Sequence, residues 1–266
     1  MYEAADLPAF DLPPALRELY GGPLGIDEPR VYANFVSTLD GVVAIPSLAQ
    51  SNKVISAGSE GDRFVMGLLR AFADVVLIGA GTLAGSPRGS WTPERAYPPA
   101  AAAFAELRRR LGRSKRPELA ILSGRGSIAP TRPALEAGAL VLTSEPGASR
   151  LRGRLPATSS TVTLGKESAI DPRRVIEALH ERGHRLILSE MGPHGFGALV
   201  VAGLVDELFL TLSPLLAGSA EHTSRFALVE GADLLPLRAE GRLLSLRRQG
   251  EHLFLRYELS RSPTAQ

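Results

Sequence analysis

The chain has 266 residues, 44% hydrophobic and 22% charged, the balance of an ordinary globular protein with room for one large domain or two small ones. Its net charge of +2 implies no nucleic-acid surface, and the absence of cysteine excludes disulfides, thiolate metal sites and cysteine nucleophiles. The N-terminus, MYEAADLPAF, has acids and prolines where a secretion signal carries a basic and then an apolar stretch. The longest apolar run, residues 195–205, is shorter than the roughly 18 residues of a membrane span, so a cytoplasmic location is expected.

Residues 1–29, rich in Pro, Gly and acids without periodicity, read as an arm lying over a single domain at 30–266. RVYANFVSTLDGVVA, from Arg30, is a strand that breaks at Leu39-Asp40-Gly41, where Asp-Gly marks a turn. In EGDRFVMGLLRAFA (60–73) the spacing of Phe64, Met66, Leu68, Leu69 and Phe72 predicts a helix, and DVVLIGAG predicts a buried strand directly after it. A polar, Pro-rich segment at 86–99 leads into helical AAAFAELRRRLGR. The run Arg108, Arg109, Arg110, Arg113, Lys115 and Arg116 there reads as a solvated last turn favoured by the helix dipole. The short apolar runs ELAILS (118–123), ALVLT (139–143) and TVTL (161–164) read as strands covered on both faces. DPRRVIEALHERGH (171–184) is a helix with Asp171 as cap, Pro172 at its first position and Gly183 at its end. Residues 185–216 then read as strand, glycine turn, helix and strand, and 243–259 as a hairpin through Gln249-Gly250. The economical fold is one α/β domain: a mostly parallel sheet, helices on both faces and an antiparallel C-terminal hairpin.

Ligands of open α/β sheets bind beyond the carboxyl ends of the strands, which directs attention to four places. At Gly79-Ala80-Gly81-Thr82 small residues let backbone N–H groups approach a phosphate, or the glycines serve the turn alone. Ser123 and Arg125 flank a glycine after the next strand; they suit a phosphomonoester such as the 2′-phosphate that separates NADP from NAD, or form an exposed loop. Thr143-Ser144 is uninformative by itself. Glu190 closes an apolar strand, where a carboxylate is costly without a partner or ligand. Met191-Gly192-Pro193-His194-Gly195-Phe196-Gly197 then enters an apolar helix, an arrangement that favours a pyrophosphate and is not the Rossmann fingerprint. Asp40 either bonds a substrate amine or ring nitrogen or forms the turn before Gly41. His194 is an acid–base candidate, but the five histidines show no ligand spacing and no metal is expected.

ANFVSTLDGVVA (33–44), DVVLIGAGT (74–82) and LILSEMGPHGFGALVVAGLVDELFLTLSPLLAG (186–218) resemble, in order and spacing, the reductase domain of bacterial riboflavin biosynthesis. This is the C-terminal domain of the bifunctional deaminase-reductase, a family related in fold to dihydrofolate reductase, and the likeness spans about residues 30–259. The resemblance implies a dihydrofolate-reductase-like fold, NADPH as cofactor and a homodimer. It also implies reduction of the ribose of 5-amino-6-(5-phosphoribosylamino)uracil, or of its 2,5-diamino pyrimidinone analogue, to a ribityl chain by hydride addition at C1′. Carried over residue by residue, Gly79, Gly81 and Thr82 hold the cofactor phosphates, Ser123 and Arg125 the 2′-phosphate, and Thr143 lies near the adenosine. Met191, Gly192, Gly195 and Phe196 pack on the pyrophosphate side, while Asn34, Ser37, Asp40 and Glu190 face the substrate. Asp40, Glu190 or an ordered water then supplies the proton. The chain departs from the family pattern twice: Leu83-Ala84-Gly85-Ser86-Pro87-Arg88 lacks the acid usual after the first glycine turn, and Met191 stands for a glycine. Without cysteine the chain cannot build the zinc site of the deaminase half. Two alternatives stay open: a paralogous reductase of another small imine or carbonyl, such as dihydrofolate, and a nucleotide-binding protein without catalysis.

Overall fold

In the computed structural model, which describes residues 1–220 and 222–260, ten strands form one sheet. They are β1 (Tyr2–Glu3), β2 (Arg30–Ser37), β3 (Val75–Gly79), β4 (Glu118–Leu122), β5 (Leu140–Thr143), β6 (Ser160–Thr163), β7 (Leu186–Ser189), β8 (Glu207–Leu212), β9 (Gly241–Gln249) and β10 (His252–Leu259). Across the sheet the order is β1-β9-β10-β8-β2-β7-β3-β4-β5-β6. Every pairing from β8 to β6 is parallel, and the β9–β10 hairpin, with β1 on its outer edge, adds antiparallel. The hairpin turns at Gly250, whose φ of 58° lies in the left-handed region that glycine adopts without strain. The last six residues of the expected span 30–266 lie outside the described residues.

Among the described residues ten α-helices flank the sheet: α1 (Pro14–Tyr20), α2 (Ser51–Ile55), α3 (Glu60–Phe72), α4 (Ala80–Gly85), α5 (Pro93–Ala96), α6 (Ala101–Arg110), α7 (Pro133–Glu136), α8 (Glu145–Leu151), α9 (Pro172–Glu181) and α10 (Pro193–Val201). Successive strand residues point to opposite faces, so Val76 and Ile78 of β3 enter one core while Val75 and Leu77 enter the other. The first core takes Leu68, Leu69 and Phe72 of α3 with Phe104 and Leu107 of α6. In the second, Val175, Ile176 and Leu179 of α9 meet Phe196 and Leu199 of α10. Burial on both faces is why β3, β5 and β7 are uninterrupted apolar runs rather than alternating ones, whereas β6, expected to be covered as well, is the edge strand and largely exposed.

Local signals act where expected in α9, whose cap residue Asp171 accepts the N–H of Arg173 at 2.9 Å. Residues 1–29 do more than lie over the domain: β1 pairs with β9, and Leu12, Leu16, Tyr20 and Leu24 are buried in the first core. The 86–99 segment contains α5 and the start of a short 3-10 turn at Pro98–Ala100. The arginine run is not a solvated turn throughout. Arg108 is 2% exposed and donates to the carbonyls of Arg70, Ala71 and Ala73 at 3.2, 3.1 and 2.7 Å, satisfying the C-terminal end of α3. Arg113 pairs with Asp74 and Glu28. Long-range acceptors, invisible in a local pattern, drew these cations inward.

Candidate active site

The carboxyl ends of β2, β3 and β7 open onto a cleft of about 960 Å³, the position the crossover topology of a parallel sheet provides for a ligand. One wall is the junction of β3 and α4, where Gly79, Gly81 and Thr82 face the cleft. A Cβ built at Gly79, Gly81 or Gly85 would meet nothing within 4 Å, so these glycines leave open a trough that side chains would fill. A second wall runs from Glu190 to Gly195, with Gly192 as the cap of α10. Met191 folds over Gly195, where a Cβ would come within 2.3 Å of its Cε, and is buried in the second core.

The third wall is one face of α3. Asp62, Met66 and Arg70 stand at intervals of four, the spacing that aligns side chains along a helix, and all three line the cleft. Arg70 grips Glu190 as a fork, Nε to Oε1 and Nη2 to Oε2 both at 2.7 Å, and its Nη1 reaches the carbonyls of Ser90 and Thr92 at 3.5 and 3.4 Å. This bidentate contact offsets the cost of a carboxylate at a buried strand end. Asp62 is 4% exposed. Burial pushes its carboxyl up to about 6, against the Thr211 hydroxyl of β8 and the charge of His252, which pull it down; Glu190 adds a smaller push upward. Ile45, Pro46, Leu48, Trp91 and Phe226 supply apolar surface, and His194 sits edge-on to Phe226 at 5.4 Å. Among the described residues no helix is long and apolar enough to cross a membrane.

Residues 29–247 match the family model of the RibD C-terminal domain. The chain belongs to this family. It is 26% identical over 196 residues to the 2,5-diamino-6-ribosylamino-4(3H)-pyrimidinone 5′-phosphate reductase of Archaeoglobus fulgidus, covering 73% of this chain and 84% of that one. Among solved structures, a pyrimidine reductase-like protein from Corynebacterium diphtheriae is similar over 92% of this chain and 98% of its own, with a TM-score of 0.70 and 23% identity. The Saccharomyces cerevisiae riboflavin biosynthesis reductase Rib7 is similar over 93% and 99%, with a TM-score of 0.58 and 15% identity. These two likenesses concern the fold, which is the mixed sheet with an antiparallel C-terminal hairpin that the sequence implied.

In this RibD C-terminal domain the cleft gathers Asn34, Gly79, Gly81, Thr82, Glu190, Met191, Gly192 and Gly195 from the sequence expectations, and His194 with them. Other expected residues point elsewhere. Asp40 stands outside the cleft, where its carboxylate accepts Thr38 Oγ1 at 2.5 Å and the N–H groups of Ala217 and Gly218 at 3.1 and 2.6 Å. Those bonds hold it down at about 2, so it ties two loops together and has no proton to give near neutrality. Ser37 is buried and donates to Thr38 O at 2.9 Å. The hydroxyl of Thr143 is used on Ser123 O at 2.7 Å. Phe196 packs its ring on Phe35 at 4.9 Å, inside the second core rather than against the cleft. Ser123 and Arg125 follow β4 beyond the cleft lining, in a turn pinned by Arg150, which donates to Arg125 O and Ser127 Oγ at 3.0 and 2.9 Å. The Arg125 side chain is exposed, and its guanidinium has no hydrogen bond or ion pair among the described residues. Sequence reasoning missed Asp62 and Arg70. Their signal was present as two charged residues eight apart on a helix read only for its apolar positions.

Proposed function

We propose that the protein is an NADPH-dependent reductase of riboflavin biosynthesis, reducing the ribose of 5-amino-6-(5-phosphoribosylamino)uracil, or of its 2,5-diamino pyrimidinone analogue, to a ribityl chain. The observation that carries this reading is the glycine-walled cleft at the ends of β3 and β7 in a RibD C-terminal domain. The name of the Archaeoglobus relative supports the substrate class.

The open trough beside Gly79, Gly81 and Gly85 fits a dinucleotide, because backbone N–H groups can reach phosphate oxygens where no Cβ intervenes. Thr82 adds a hydroxyl, Gly192 and Gly195 form the facing side, and Arg125 with Ser123 is the pair for the 2′-phosphate. When bound, the reduced nicotinamide supplies a hydride to C1′ of the ring-opened substrate. The chain's own part is to bind, orient and exclude water. The Arg70 fork fixes Glu190 as an acceptor for substrate amino or hydroxyl groups, and Asn34 offers both a donor and an acceptor beside it. The apolar surface of Ile45, Trp91 and Phe226 shelters the reacting atoms. We take the enzyme to act as a cytoplasmic homodimer, which light scattering reads as twice the chain mass.

The test follows nicotinamide absorbance with purified protein and NADPH. Turnover of the ribosylaminopyrimidine phosphate and none of dihydrofolate is the expected result. The reverse moves the protein to a paralogous activity, and failure to bind NADPH or NADH removes the cofactor reading altogether.

A further inference from the structure

We propose that Asp62 is the proton-donating acid of the reaction, delivering a proton to the substrate nitrogen from the α3 wall of the cleft. The inference rests on the reductase reading above. Reduction of the ring-opened substrate breaks the π bond between C1′ and nitrogen and forms one C–H and one N–H bond. The electron pair arrives as hydride from the reduced dinucleotide, which leaves oxidised, and the proton comes from a carboxyl that is reprotonated by solvent between turnovers.

Two carboxyls line the cleft among the described residues, Asp62 and Glu190. Glu190 has both oxygens taken by the Arg70 fork and serves as an acceptor. Asp62 forms no ion pair among the described residues, although Arg70 lies two turns along the same helix. Nor is its carboxyl needed for the helix cap: the N–H of Ser59, which an acid at this position could cap, already donates to Ser56 O at 3.0 Å. The groups facing Asp62 from other elements are the Thr211 hydroxyl on β8, His252 on β10 and Glu190 after β7. A buried carboxyl that lines the cleft and is held by a hydroxyl rather than by an ion pair is the arrangement general acid catalysis requires. Its raised titration point leaves about a tenth of the carboxyl protonated at pH 7, far more than an ordinary aspartate.

Asp62→Asn tests this. It should lower kcat by about 10²–10³-fold while KM and the NADPH affinity read by fluorescence stay within about threefold, the latter also reporting that the variant folds. Wild-type kcat should fall about tenfold per pH unit above about 6, and that limb should vanish in Asp62→Asn. Thr211→Val removes a bond that favours the ionised carboxyl, so it should move the limb to higher pH. Difference infrared spectra should show a carboxyl titrating near about 6 in the wild type and missing from Asp62→Asn. Wild-type kcat in Asp62→Asn, or a limb that survives there and disappears in His194→Gln, overturns the inference alone. A wild-type protein that turns over no ribosylaminopyrimidine overturns the reductase reading, and this inference with it.

Discussion

A carboxyl buried like that of Asp62 destabilises the fold whenever it ionises, because the unfolded chain solvates the charge and the native cleft does not. Its native value of about 6 lies above the ordinary 3.8. The penalty is therefore absent below about pH 4, where both states are protonated, and grows as pH rises through the native value. Asp62→Asn should stabilise the protein by about 3 kcal/mol at pH 7 and by less than about 1 kcal/mol at pH 4, a pair of urea titrations that reads the burial independently of activity. Arg125 carries a different expectation. With its guanidinium exposed and unpaired among the described residues, Arg125→Ala should weaken NADPH by about 10–100-fold, the value of a charge-assisted contact, and leave NADH unchanged in a fluorescence titration; equal losses would remove it from the 2′-phosphate. At this scale local pattern singled out Glu190 and Asp40, and not Asp62, without saying what engages them. Glu190 finds Arg70 120 positions away and Asp40 finds Gly218 178 away, and that distance separates a cleft group from a loop tie.

Among the elements, the junction of β3 and α4 shows most plainly how chain geometry makes room for a ligand. Gly81 sits inside α4 with an empty Cβ direction, so Gly81→Ala should leave the fold intact or stabilise it by about 0.5–1 kcal/mol through helix propensity. The added methyl occupies the trough, so dinucleotide affinity should fall about tenfold, on the order of one lost close contact. Unchanged affinity would place the phosphates elsewhere. The strands β3, β4, β5 and β7 and the helices α3 and α9 were legible because their information is local: apolar runs, capping residues and glycine stops. Helix α4 was read as a turn and α5 as loop, since neither is long enough to show a period. The Arg108 contact with the end of α3 was illegible because its acceptors are carbonyls of another element.

At the level of the molecule, the pairing of β2 with both β7 and β8 joins residues more than 150 apart, and nothing in either strand's own composition names its neighbour. The order of the sheet was therefore not legible in the sequence, which indicated only a mostly parallel sheet with an antiparallel C-terminal hairpin. The packing of residues 1–29 was missed for the same reason: Pro and Gly hide the periodicity of Leu12, Leu16 and Tyr20, yet these side chains close the first core. Leu16→Ala should accordingly cost about 2–5 kcal/mol in denaturant unfolding, where a loosely lying arm would lose almost nothing. In the function proposed above, the central event is hydride delivery in the cleft between β2, β3 and β7. Isotope transfer reads that event directly: NADPH carrying deuterium at the reactive nicotinamide carbon is supplied with the ribosylaminopyrimidine phosphate, and the product is examined by mass spectrometry. One deuterium at C1′ of a ribityl product is the expected result; NADPH left unconsumed, or a product without the label, would contradict it.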